Sequence, residues 1–157
     1  MVEELQKQRP QSNWAKIREV HYGDPLFPRY LTGLPHIPIR LYHMGELRHS
    51  DACSVAVIGS RRASEEGKKR AYRLSAELAS AGVTVVSGLA RGIDGAAHRG
   101  ALDAGGRTLA VMGTGLEHVY PSEHPDLFEE IVEQGAALSQ FAPQFTGYRG
   151  GSNFLPR

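Results

Sequence analysis

From residue 54 onward one unit repeats along the chain: a short apolar run, a turn that opens on glycine, then a stretch with helical spacing. The apolar runs span residues 55–58, 83–87, 108–112 and 136–141. They are apolar throughout rather than alternating, as strands are when both faces of their sheet are covered. Strands and helices in strict alternation point to parallel pairing with right-handed crossovers. The fold this predicts is an α/β, Rossmann-like three-layer domain with a mostly parallel sheet and helices on both of its faces.

The helix signals between the runs are local. Ser64 can cap free amides with its hydroxyl, and Glu65 and Glu66 suit the positive end of a helix dipole. Ala71, Leu74 and Leu78 give this first helix its apolar stripe, and Gly82 closes it in the left-handed conformation that often ends helices. The second helix, residues 94–104, carries Ile93, Ala97 and Ala101 on one face and ends at Gly105. The third, residues 122–134, buries Leu127, Phe128, Ile131 and Val132. Ahead of the repeat, residues 1–13 are polar, and residues 14–50 are rich in proline and aromatic residues with one strand-like run at 39–44. The division expected is a lead-in, residues 1–50, packed on a Rossmann-like domain, residues 51–157.

A chain of 157 residues suits one compact domain. Its formal net charge of +1 singles out neither a nucleic acid nor a membrane surface as a partner. The distribution says more. Residues 59–73 hold six cations against two acids, whereas residues 115–134 hold six acids and no lysine or arginine, so the molecule is expected to be electrically two-sided. Cys53, the single cysteine, excludes an intramolecular disulfide and reads as core packing. No run approaches the roughly 18 apolar residues of a membrane helix, and the first residues lack a signal-peptide core. A cytoplasmic protein without a membrane partner is expected.

In folds of this kind ligands bind where loops leave the carboxyl ends of the strands. The loops here are "GSRRAS" (59–64), "SGLARGID" (87–94) and "GTGLEHVYP" (113–121). Glycine in each allows a ligand close to the backbone, and each loop feeds a helix N-terminus that favours an anion. Three such loops suggest a phosphate-bearing ligand, although each glycine taken singly also fits a plain tight turn. Arg61 and Arg91 follow strand ends by a few residues, which aims them at the common rim with a geometry suited to phosphate oxygens. Arg62 is as well explained by a solvated surface. Asp94 reads as a helix cap with a local ion pair to Arg91 or His98, and His98 as a hydrogen-bonded structural histidine. Neither a dinucleotide fingerprint nor a P-loop is present, the histidines lack metal-site spacing, and "VVSGLA" is no nucleophile elbow. No cofactor and no metal are expected.

Taken in order, "VAVIGSRRASEEG", "GVTVVSGLARGIDGAAHRGAL", "GGRTLAVMGTGLEHVYPSEH" and "NFLPR" resemble the DprA/Smf family of DNA-processing proteins, from residue 37 to residue 157. The resemblance implies a single-stranded DNA-binding recombination mediator, not an enzyme, that protects incoming DNA and loads the RecA recombinase in natural transformation. It assigns DNA contacts to Gly59, Ser60 and Arg61, to Ser87, Gly88 and Arg91, to Gly113 and Thr114, and to Asn153, Phe154 and Arg157. Phe154 has a rationale of its own, since an aromatic ring beside a positive groove is a stacking platform for a base. Family members continue past "F-x-x-R" with a helix and further strands that supply much of the dimer surface. The C-terminal part of the family fold is therefore expected to be missing, the homodimer to belong to the full-length form, and the last strand to have an open edge. Two other readings stand beside this one. One is a nucleotide-hydrolysing protein of the phosphoribohydrolase-like group using Glu117, against which the missing "PGG" counts; the other is a nucleotide-binding module that signals to a partner.

Overall fold

The structure, a computed structural model, describes residues 17–146. In chain order its elements are β1 (Arg18–His21), β2 (Arg40–Gly45), β3 (Ser54–Ala56), α1 (Glu65–Ser80), β4 (Thr84–Ser87), α2 (Ile93–Asp103), β5 (Thr108–Val111), α3 (Pro125–Gln134) and β6 (Ala136–Ser139). The α/β, Rossmann-like reading holds. One six-stranded sheet runs in the order β1-β2-β6-β5-β4-β3, with β3 to β6 mutually parallel. β2 lies antiparallel to β6, and β1 antiparallel to β2.

Each parallel crossover steps one strand along in the same direction. A right-handed crossover repeated in one direction sets every helix on the same side of the sheet. The packing agrees: Val85 and Ala110 meet α1, α2 and α3 in clusters that hold Ala71, Ala97, Ala101, Phe128 and Ile131. Among the described residues the opposite face carries no α-helix. There Leu109, Ala136 and Leu138 pack under Phe27, Leu31, Ile37 and Leu47 of the segment before β3. Helices on both faces were expected; here a lead-in whose helical parts are two short 3-10 turns, Arg29–Gly33 and His49–Ala52, forms the third layer, and two of its strands enter the sheet itself.

The local signals at the first helix end as expected. The Ser64 hydroxyl accepts the Gly67 N–H at 3.1 Å, and Gly82 takes a φ of +78°. The stripe is rotated, however. Ala71, Ser75 and Ala79 are buried while Leu74 is exposed. Small residues face inward because α2 lies very close: a Cβ on Gly100 would run into the Tyr72 carbonyl.

Two further expectations are corrected. Cys53 is exposed, because it closes the short 3-10 turn His49–Ala52 at the start of β3, and β3 is an edge strand among the described residues. The last strand is also not an open edge. β6 is flanked by β5 and β2; among the described residues the edge strands are β1 and β3, and Val55 of β3 and Ile58 just after it are exposed.

Candidate nucleic-acid interface

The loops after β3, β4 and β5 come to one end of the sheet, and the contacts that join the first two are specific. Asp94, in the first turn of α2, is buried and accepts the Gly59 N–H at 3.2 Å. Its other carboxylate oxygen lies 2.8 Å from where a Cβ on Gly88 would stand, so both glycines are pressed around one carboxylate. The Ser60 carbonyl accepts the Ile93 N–H, and a Cβ on Gly92 would overlap that same carbonyl. Gly92 has a φ of +81°, which only glycine adopts readily. The two loops thus form one rigid rim.

Leu89 has a φ of 60° and is fully buried, a costly conformation that survives where its surroundings over-determine it. His124, just before α3, supplies part of that environment: its Nδ1–H donates to the Leu89 carbonyl at 3.0 Å, with the proton's place inferred from the acceptor. The third loop is tied in by Thr114, whose hydroxyl donates to the His118 carbonyl at 2.9 Å and whose carbonyl accepts from Ser139 at 2.6 Å.

Charge at the rim is paired in a way the sequence reading did not anticipate. Arg91 does not meet Asp94. It binds Glu123 at 2.5 Å, both side chains being about half exposed (53% and 55%), and the Arg91 guanidinium holds the Glu123 carboxyl below the usual carboxylate range. Arg61 and Arg62 are exposed in the first loop, and the Arg62 N–H donates to the Ser60 hydroxyl. The acidic segment therefore pairs with cations outside the basic one, here through Glu123 on Arg91 and elsewhere through Glu130, which grips Arg99 at 2.6 Å. Glu123 was missed because its partner lies in another loop, with no local spacing to mark it.

Of the positions singled out beforehand, the rim brings together Gly59, Ser60, Arg61, Gly88 and Arg91, with Gly113 and Thr114 on the adjoining loop. The Ser87 hydroxyl is buried and donates to the Val57 carbonyl at 2.7 Å, locking β4 to the strand end beside it. Asn153, Phe154 and Arg157 lie outside the described residues. Glu117 accepts a hydrogen bond from the Gln144 amide at 3.1 Å. His98 is structural as expected, fully buried with Nδ1 2.7 Å from the Thr108 hydroxyl. The Thr108 hydroxyl donates to the Val85 carbonyl, so the imidazole donates to the hydroxyl. Burial pushes its pKa down to about 3. Among the described residues no cluster of histidine, cysteine or carboxylate side chains could hold a metal ion, and no helix is long and apolar enough to cross a membrane.

A family profile, described as DNA recombination-mediator protein A, matches residues 18–156. The chain belongs to this family. Among curated relatives, Protein Smf of Synechocystis is 36% identical over 90% of this chain, and DNA processing protein DprA of Streptococcus pneumoniae 38% identical over 76% of it. The chain spans 39% and 42% of those two proteins. Two solved structures share the fold. The crystal structure of DprA from Streptococcus pneumoniae superposes with a TM-score of 0.77 at 35% identity, covering 85% of this chain and 47% of that one. DNA processing protein A from Helicobacter pylori, described for its single-stranded DNA binding mode, superposes with a TM-score of 0.75 at 29% identity, covering 85% of this chain and 60% of that one.

Proposed function

We propose that this chain binds single-stranded DNA across the rim formed by the loops after β3, β4 and β5, as the DNA-binding part of a recombination mediator. The observation that carries this is the locking of the first two loops around Asp94, which sets Arg61 and Arg91 at one end of the sheet beside the N-termini of α1 and α2. Fixed backbone amides and fork-shaped cations suit phosphate oxygens without selecting a base. The family's description as a mediator and the single-stranded DNA binding named for the Helicobacter pylori relative support the same reading. The contacts proposed are Gly59, Ser60, Arg61, Gly88, Arg91, Gly113 and Thr114. Asn153, Phe154 and Arg157 complete the set, and the Ser87 hydroxyl holds the second loop from within. In the cell the bound strand is incoming DNA in the cytoplasm, handed to a RecA recombinase, with a homodimer as the assembly that carries it. The role is binding, with no turnover.

A salt titration of a fluorescent oligothymidine, beside a duplex of the same length, tests the reading. Preference for the single strand is expected at every salt concentration. Equal affinity for the two forms would defeat it.

A further inference from the structure

A groove of about 350 Å³ runs between α1 and α2, lined by Lys68, Lys69, Tyr72, Arg73 and Arg99 with Glu65 as its one carboxylate. It exists because of Gly100: with no Cβ there, α2 comes against the Tyr72 backbone, and the Tyr72 hydroxyl reaches over to donate to Asp103 at 2.8 Å. The ring is fixed between the two helices.

The four cations of the groove are not equivalent. Lys68 is paired with Glu65 at 2.5 Å, and Arg99 is held by Glu130. Lys69 and Arg73 lie on α1 one helical turn apart, are exposed, and make no ion pair or side-chain hydrogen bond among the described residues. Two cations that no ion pair within 4 Å ties down therefore flank an oriented aromatic ring. An acidic peptide would engage the cations alone, whereas a nucleic-acid strand offers phosphates to the cations and a flat base to the ring. The groove also lies on a natural path. α1 begins directly after the loop that carries Arg61, so Lys69 and Arg73 stand roughly 8 and 14 Å along the helix axis from its cap at Ser64.

We propose that the α1–α2 groove is a second contact for single-stranded DNA, in which Lys69 and Arg73 meet phosphates and Tyr72 stacks a base of the strand leaving the rim. This rests on the single-stranded DNA reading of the rim and extends its footprint.

The test compares fluorescent oligothymidines of about 5 and about 20 nucleotides, one at the short end of typical single-strand sites and one beyond their long end. With the longer probe, the double variant Lys69→Ala/Arg73→Ala should bind at least fivefold more weakly, and its log–log salt slope should fall by about 1.4, two contacts at ~0.7 each. With the shorter probe it should match the wild type. Tyr72→Leu should weaken the longer complex about fivefold or more, as lost stacking does, while Tyr72→Phe, which keeps the ring, should not. Matching thermal melts would show that the variants fold. If Arg61→Ala weakens binding of both probes but the groove variants behave as wild type, the groove proposal is overturned and the rim reading survives; a surface reserved for an acidic protein would give this result. If the wild type binds neither probe, both readings fall.

Discussion

The two ends of the parallel sheet each carry an arginine–carboxylate pair, and the fold treats them in opposite ways. At the amino end, Arg107 and Asp51 are nearly enclosed, with side chains 12% and 11% exposed. Arg107 bonds both oxygens of Asp51, at 2.5 and 2.9 Å, and also donates to the carbonyls of Glu46 and Gln134. Asp51 in turn accepts from the Thr84 hydroxyl and the Arg48 N–H. At the carboxyl end, Arg91 and Glu123 share one contact and face water. The lesson is about availability. A pair in which Arg107 donates four hydrogen bonds and Asp51 accepts four inside the fold acts as a rivet between the lead-in, β4 and α3, whereas a pair that can separate into solvent leaves its cation available for the phosphate contact proposed at the rim.

The largest effect should come from breaking the enclosed pair. Arg107→Ala leaves the Asp51 carboxylate buried without its countercharge, and removing one member of such a pair typically costs about 3–5 kcal/mol. Urea denaturation should register the loss, and Asp51→Ala should act in the same direction. A loss below about 1 kcal/mol would mean the amino-end pair is as dispensable as a surface one.

Next in size is a response to acid from the region between the two ends. His98 has a folded-state pKa of about 3 against an unfolded value near 6.5, so the unfolded chain takes up the proton first. Its contribution to stability is complete above about pH 6.5 and declines by roughly 1.4 kcal/mol per pH unit as the pH falls toward 3. His43, whose pKa burial also lowers, acts in the same direction. Denaturation midpoints at neutral and mildly acidic pH should separate accordingly, and a flat profile would remove His98 from this account.

Much of the fold was legible from residues within one element. The Ser64 cap, the left-handed Gly82 and Gly105, and the buried Leu127, Phe128 and Ile131 of α3 all follow from spacing over a turn or two. What was not legible depends on partners far away in sequence. The inward face of α1 is Ala71, Ser75 and Ala79 rather than Leu74 because of how closely α2 approaches, and that depends on Gly100. The cover over β6 comes from β2, before the repeat begins. The rim was legible in its glycines and arginines, but the Gly59–Asp94 lock and the Arg91–Glu123 pair join separate loops, and no periodicity records them.

Smaller effects at the open end would sharpen the contrast. Arg61→Ala should weaken single-stranded DNA binding and lower its salt slope by ~0.7, with thermal stability nearly unchanged. If binding and slope both keep their wild-type values, Arg61 is an ordinary surface residue.

Smallest is the separation of the two members of the open pair. Arg91→Ala should weaken DNA binding, while Glu123→Gln, which removes the competing carboxylate, should tighten it about two- to fivefold at low salt and less as salt screens the pair. Opposite signs from the two partners would set this pair apart from Arg107 and Asp51, where loss of either partner harms stability. Equal weakening from both would instead make Arg91–Glu123 a structural contact.

The pairing of β2 with β6 also imposes a timetable on synthesis. Tyr42 must wait for Ser139, which leaves the ribosome roughly a hundred residues later, a delay on the order of 5–20 s at ordinary elongation rates. During that interval the β1–β2 hairpin has no sheet to join, and a lone two-stranded hairpin is marginal in water. Val20, Leu41 and Met44, all buried in the finished protein, are then open to any other chain nearby. These two strands, made before the parallel ones, are thus among the last to find their place, and the interval before β6 emerges is when the nascent protein most needs a chaperone's cover.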